Sequence, residues 1–195
     1  VIERARDSGV SKVFMPNIDD TTVEAMLNVC TAYKGYCFPM IGFHPTSVGA
    51  DSLFRIYEMK KLLSGEHPFV AVGEVGMDLY WDKTYLKEQQ KALDIQIQWA
   101  LEYHLPLVLH CREAFPELFE VMEPYKKTEL SGIFHSFTGT LEEAGQVLEY
   151  ARFFFGINGV VTFKKSSLAE VLPHIPLDRI VLETDSPYLA PVPFR

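Results

Sequence analysis

The sequence predicts an α/β fold with parallel strands and helical crossovers, closed in the manner of a (β/α)8 barrel. Three observations lead there. Seven apolar segments of strand character alternate with helical segments at roughly 25-residue spacing, which implies parallel strands joined by helices. Polar groups terminate one apolar segment after another, as the ring of loops at the C-terminal face of a barrel requires. An open doubly wound sheet would instead gather its ligands at a single switch point. The strand count is the third observation. Seven strands follow a helix that opens without a start, Val1-Ile2-Glu3-Arg4-Ala5-Arg6, so one strand ahead of Val1 would complete the eight of a TIM-type barrel.

The elements follow in order. The opening helix stops near Ser8-Gly9, and Lys12 to Pro16 is a short strand. Asp19-Asp20-Thr21-Thr22 starts a helix, with Thr21 and Glu24 at capping-box spacing. Tyr36 to Gly42 is the next strand, although Pro39 weakens it. It runs into Phe43-His44-Pro45, and Asp51 caps a helix through Leu63. Val70 to Val75 is a strand buried on both faces, ending on Glu74 between Gly73 and Gly76. Thr84 to His104 is the longest helix, with Leu86, Leu93, Ile97, Ala100 and Leu101 on one face. The strand Leu107 to His110 comes next, then a helix from about Pro116 to Tyr125 and the strand Ser131 to His135. Thr140 to Tyr150 is helical, with a capping box from Thr140 to Glu143. Arg152 to Ile157 makes a strand, Ser167 to Leu172 a short helix, and Arg179 to Leu182 the last strand. The whole span of 1–195 is expected to be one partial barrel domain, lacking the first strand and the last helix.

Composition bounds the function. Hydrophobic content of 48% with 23% charged residues is that of an ordinary globular chain. A net charge of −8 argues against a broad basic face, yet leaves room for a small site where ions and a few cations receive one phosphate. Three cysteines, Cys30, Cys37 and Cys111, with no C-x-x-C spacing, point to reduced, cytoplasmic usage rather than a disulfide framework. No apolar run approaches the roughly 18 residues of a membrane helix.

Of six histidines, His67, His104 and His174 sit in loops or at a helix end, where surface or capping roles suffice. His44, His110 and His135 each follow an apolar strand, as do Glu74 and Asp185. A charge at the end of a buried strand is costly unless paired. Imidazole and carboxylate donors together suit zinc, manganese or similar divalent ions. More than one carboxylate can bridge two ions, which then clamp the attacking and leaving oxygens of a displacement. Cys111 is expected to point away from His110 along the strand, whereas Arg112 returns to the His110 side as a phosphate or carboxylate clamp.

Gly42-Phe43-His44-Pro45, Gly73-Glu74-Val75-Gly76-Met77-Asp78, His110-Cys111-Arg112-Glu113-Ala114, His135-Ser136-Phe137-Thr138-Gly139 and Glu183-Thr184-Asp185-Ser186-Pro187-Tyr188-Leu189 resemble, in order, the motifs of the TatD family. These are metal-dependent deoxyribonucleases among the barrels of the amidohydrolase superfamily. The resemblance implies one or two divalent ions (Zn, Mg or Mn), with Glu74 bridging, His110 and His135 on one ion, and Asp185 on the other while accepting the proton of the attacking water. It places His44 and Arg112 near the substrate phosphate, and Asp78 and Glu183 behind the ligands as orienting groups. The implied substrate is DNA, single-stranded or at strand ends. Members of the family open on a strand ending in His-x-His, which this chain does not contain, and continue past the position of Arg195. Two other readings use the same residues: a carboxylic ester or amide hydrolase such as a lactonase or aminoacyl ester deacylase, and a degenerate barrel retained for binding.

Overall fold

The computed structural model describes residues 1–194. Seven strands are present among them: β1 (Val13–Met15), β2 (Cys37–Pro39), β3 (Val72–Asp78), β4 (Leu107–Arg112), β5 (Gly132–Phe134), β6 (Phe153–Ile157) and β7 (Ile180–Leu182). The α-helices between and around them are α1 (Ile2–Asp7), α2 (Val23–Ala32), α3 (Ser52–Lys60), α4 (Leu86–Glu102), α5 (Phe115–Met122), α6 (Leu141–Leu148) and α7 (Leu168–Val171). The fold is α/β, and each ladder is parallel.

The strands lie side by side in chain order, β1 with β2 and then β3 to β7. The two groups are joined where the chain changes partner. Met40 donates its amide to Met15 (2.9 Å), and Ile41 then donates to Ala71 (3.1 Å) and pairs with Val72. Pro39 has no amide to donate, so the expected strand Tyr36 to Gly42 is broken there into a short strand and a single bridge. Parallel strands that lie side by side in chain order form the wall of a barrel, whereas a doubly wound sheet reverses its strand order at a switch point. Among the described residues no ladder joins β7 to β1.

β3 is the spine of this wall. All of its residues are buried, since β4 pairs along one edge, Asn17 and Ile41 bond to the other, and α4 packs across it. The ladder to β4 slips between Gly73 and Val75, so Glu74 lies at a bulge within β3 rather than at the end of a strand. The sequence expectation stopped this strand too early, because Gly76 reads as a stop. It is a close approach instead: at φ +143° a side chain there would run into the His110 carbonyl of β4. His110 likewise lies inside β4, which continues to Arg112.

Two further expectations are corrected. Thr21 and Glu24 form no capping box, because α2 starts at Val23 with Thr22 at its N-cap. The Thr22 hydroxyl is used elsewhere, donating to Asn17 Oδ1 at 2.8 Å. Asp51 occupies the N-cap of α3 without a side-chain capping bond, while Ser52 Oγ accepts from the Gly49 amide at 2.7 Å. The capping box of α6 forms as expected, with both Thr140 and Glu143 bonds present.

A continuous hydrophobic cluster fills the interior, with Trp99, Phe43, Phe134, Phe153 and Phe155 among its largest fully buried side chains. Burying one such aromatic contributes roughly 1.5–3 kcal/mol. No helix among the described residues is long and apolar enough to cross a membrane.

Candidate metal centre and substrate pocket

Parallel strands lying side by side in chain order bring their C-terminal ends to one rim. At this rim His44, Glu74, His110, Arg112, His135 and Asp185 line one cavity of about 470 Å³. Those residues come from five separate segments of the chain. Asp78 and Glu183 stand directly behind them, bonded to His110 and His135.

The first cluster is built on β3 and β4. His110 lies between two carboxylates, with Nδ1 3.1 Å from Glu74 Oε1 and Nε2 2.8 Å from Asp78 Oδ2. Burial opposes a charge on His110, but the bonds to Asp78 and Glu74 outweigh it and hold its pKa up to about 9. For Glu74, 9% exposed, burial favours the neutral acid, yet the same contact with His110 brings its pKa down to about 2. His44, Glu74 and His110 each offer a ligand atom within 4.8 Å of the others.

His44 differs in its proton. Burial lowers its pKa to about 4, so the ring is neutral at pH 7. Its Nδ1 accepts from the Thr46 amide at 3.2 Å, and this assigns the single proton to Nε2. Nε2 faces Glu74 Oε1 at 3.8 Å. His44 therefore presents an N–H donor to the cavity, where a metal ligand would present a lone pair.

The second cluster repeats the first. His135 Nδ1 is 2.8 Å from Glu183 Oε2, and Nε2 is 2.8 Å from Asp185 Oδ1. Burial again opposes the charge, and the bonds to Asp185 and Glu183 raise the pKa to about 10. Glu183 also accepts from the Ser136 amide. Each imidazole is thus held by one carboxylate behind it and shares a proton with another that faces the cavity. Four carboxylates around two imidazoles make a donor set short of positive charge, which protons on His110 and His135 now supply. A divalent ion fits that arrangement, because its binding displaces those protons.

Cys111 also lines the cavity, but burial pushes its thiol pKa up and keeps it protonated. Arg112 lines the cavity with its guanidinium 3.6 Å over the Tyr80 ring.

Sequence reasoning passed over four positioning residues. Asn158 donates to Asp185 Oδ2 (3.1 Å) and to Ser136 Oγ (2.7 Å). Asn17 donates to the Gly42 and Asp19 carbonyls, both at 2.8 Å. Both follow apolar strands directly, so the strand-end pattern that marked His135 would have found them. Gln96 brackets the peptide of Phe43, accepting its amide (2.7 Å) and donating to its carbonyl (3.3 Å). Gln89 does the same for Asp78, at 2.9 and 3.0 Å. Seven residues apart on one face of α4, the two glutamines fix the segments bearing His44 and Asp78.

A protein-family profile described as "TatD related DNase" matches residues 1–195. The chain is 33% identical over 196 residues to "Uncharacterized metal-dependent hydrolase YabD" of Bacillus subtilis strain 168, covering 100% of this chain and 76% of that protein. It is 34% identical over 203 residues to "3'-5' ssDNA/RNA exonuclease TatD" of Pantoea ananatis, covering 100% and 75%. Among solved structures, YJJV, a TatD homolog from Escherichia coli K12, superposes with a TM-score of 0.83 at 27% identity, covering 96% of this chain and 72% of that one. An uncharacterized amidohydrolase from Saccharomyces cerevisiae, at 19% identity and a TM-score of 0.80, shares the fold.

Proposed function

The chain belongs to the TatD-related DNase family of metal-dependent hydrolases, and from that premise we propose that it hydrolyses phosphodiester bonds of single-stranded DNA from strand ends, in the cytoplasm. The observation that supports this reading is the pair of carboxylate-flanked imidazoles facing one cavity. The free cysteines agree with a reducing compartment.

In this reading Glu74, His110, His135 and Asp185 hold one or two divalent ions, zinc, magnesium or manganese. Bound there, such an ion would supply Lewis-acid polarisation of a phosphoryl oxygen and the acidification of a water for attack at neutral pH. Glu74 is ionised before any ion arrives, and its charge acts on both His110 and His135. Asp78 and Glu183 orient the imidazoles of His110 and His135 from behind. Asp185, held by Asn158, accepts the proton of the attacking water. His44 donates from Nε2 to a phosphate oxygen, and Arg112 adds a fixed positive charge at the same cavity.

The test is the degradation of a 5′-labelled single-stranded oligonucleotide with added Mg²⁺ or Mn²⁺. A nucleotide-by-nucleotide ladder that disappears with EDTA and in Glu74→Ala supports the proposal. Hydrolysis confined to lactones or aminoacyl esters overturns it. A protein that binds no divalent ion and hydrolyses nothing would leave only the binding role.

A further inference from the structure

Tyr80 and Trp81 follow β3 directly and stand 46% and 72% exposed. The second of the chain's two tryptophans, Trp99, is 1% exposed in the core. A single exposed aromatic is ordinary. The arrangement here is not single. The Tyr80 and Trp81 rings meet edge to face with centroids 4.8 Å apart, and the Arg112 guanidinium lies 3.6 Å from the Tyr80 centroid and 5.4 Å from that of Trp81.

This group is also tied to the catalytic rim at fixed points. Asp78 accepts the Tyr80 amide on Oδ1 at 3.0 Å and the imidazole of His110 on Oδ2 at 2.8 Å. The Trp81 amide also helps keep this carboxylate ionised. Leu79 donates to the Arg112 carbonyl at 3.0 Å, which locks the loop to the end of β4. Arg112 itself lines the cavity with Glu74, His110 and Asp185. Flat π surfaces beside a guanidinium at a phosphate-receiving cavity are the parts of a single-strand binding platform, in which bases stack on aromatic faces and cations follow the backbone.

We infer that Tyr80, Trp81 and Arg112 form a base-stacking subsite. Trp81 presents its open face to a nucleobase, and Arg112 joins that stack to the phosphate in the cavity. The inference rests on the nuclease reading and deepens it. It requires that the strand be recognised through its bases without sequence readout, since every base offers a π face.

The test uses metal-loaded protein and a hydrolysis-resistant phosphorothioate oligothymidylate, beside an abasic oligonucleotide of equal length. Saturable quenching of tryptophan emission by the oligothymidylate is expected, and with Trp99 buried that signal belongs to Trp81. By anisotropy, wild-type protein is expected to prefer the oligothymidylate over the abasic strand by about 5- to 150-fold, the span of one aromatic stack. Trp81→Ala should collapse this preference toward one, and Trp81→Phe should restore it without the quench. Wild-type protein that binds both strands equally, or a Trp81→Ala preference equal to that of wild type, overturns the subsite and leaves the nuclease reading standing. Protein that binds neither strand and degrades no DNA overturns both.

Discussion

Gly156→Ala tests whether Glu183 holds the second cluster in place. Gly156 of β6 lies beside β7, and a Cβ built there collides with the Glu183 carboxylate. The obstacle is the mobile end of a side chain, so the fold can relax by moving Glu183 aside. Doing so breaks its contact with His135 Nδ1 (2.8 Å) and with the Ser136 amide. A hydrogen bond to a charged group is worth about 1.5–3 kcal/mol. Water can recover part of that for a carboxylate still 18% exposed in its side chain. A net loss of about 1–2 kcal/mol is about a 5- to 30-fold weaker Kd for Mn²⁺ or Zn²⁺, which overlaps the low end of the roughly 10- to 100-fold cost of removing a group that orients a ligand. Calorimetric titration measures the Kd, and stability in urea should fall by no more than the same amount, about 1–2 kcal/mol. Gly132→Ala is the control. Its Cβ meets the Leu107 carbonyl and the Phe153 ring at 2.9 Å, backbone and core that cannot move aside, so stability falls instead. Metal affinity in Gly156→Ala within twofold of wild type would refute the role given to Glu183.

Three more outcomes follow from the same geometry. Gln96→Leu removes both bonds to the Phe43 peptide and leaves a buried amide and carbonyl unpaired, which should cost about 1–3 kcal/mol in urea unfolding. It should also raise KM more than it lowers kcat, since the His44 segment is displaced while the metal ligands stay. Metal-free protein should be most stable near pH 6.5. His110 and His135 titrate at about 9 and about 10 in the fold against 6.5 unfolded, so their stabilisation is complete below 6.5 and is lost as pH rises through those values. His44 titrates at about 4, so its neutral burial loses stability as pH falls from 6.5 toward 4. A Tm profile in EDTA from pH 4 to 10 checks both limbs, and a flat profile contradicts the two imidazole triads.

Much of this was legible in the residues because two signals agreed. Apolar runs marked the strands, and charged or imidazole groups at their ends marked the rim. That pairing located His44, Glu74, His110, His135 and Asp185, and the structure brings all of them to one cavity. The sequence could not show that β3 continues past Glu74, because Gly73 and Gly76 look the same whether a chain turns or merely passes close to its neighbour. The failed capping box has a similar cause. Spacing put Thr21 and Glu24 together, but the helix starts one residue later, and the Thr21 hydroxyl donates to Asp19 Oδ1 at 2.6 Å instead. Gln89 and Gln96 were invisible for the opposite reason. On an amphipathic helix a glutamine reads as solvent-facing, and only the packed fold shows it bracketing a peptide. Trp81 carries no pattern at all in the sequence, since its meaning lies in its distance from Arg112.

The central claim is that Glu74 and His110 hold a divalent ion in this cavity. Anomalous diffraction from crystals soaked in Mn²⁺ tests it most directly. A peak is expected within about 2.0–2.3 Å of a Glu74 oxygen and a His110 nitrogen, the bonding range for such donors. An empty cavity, with manganese only on surface carboxylates, would contradict it.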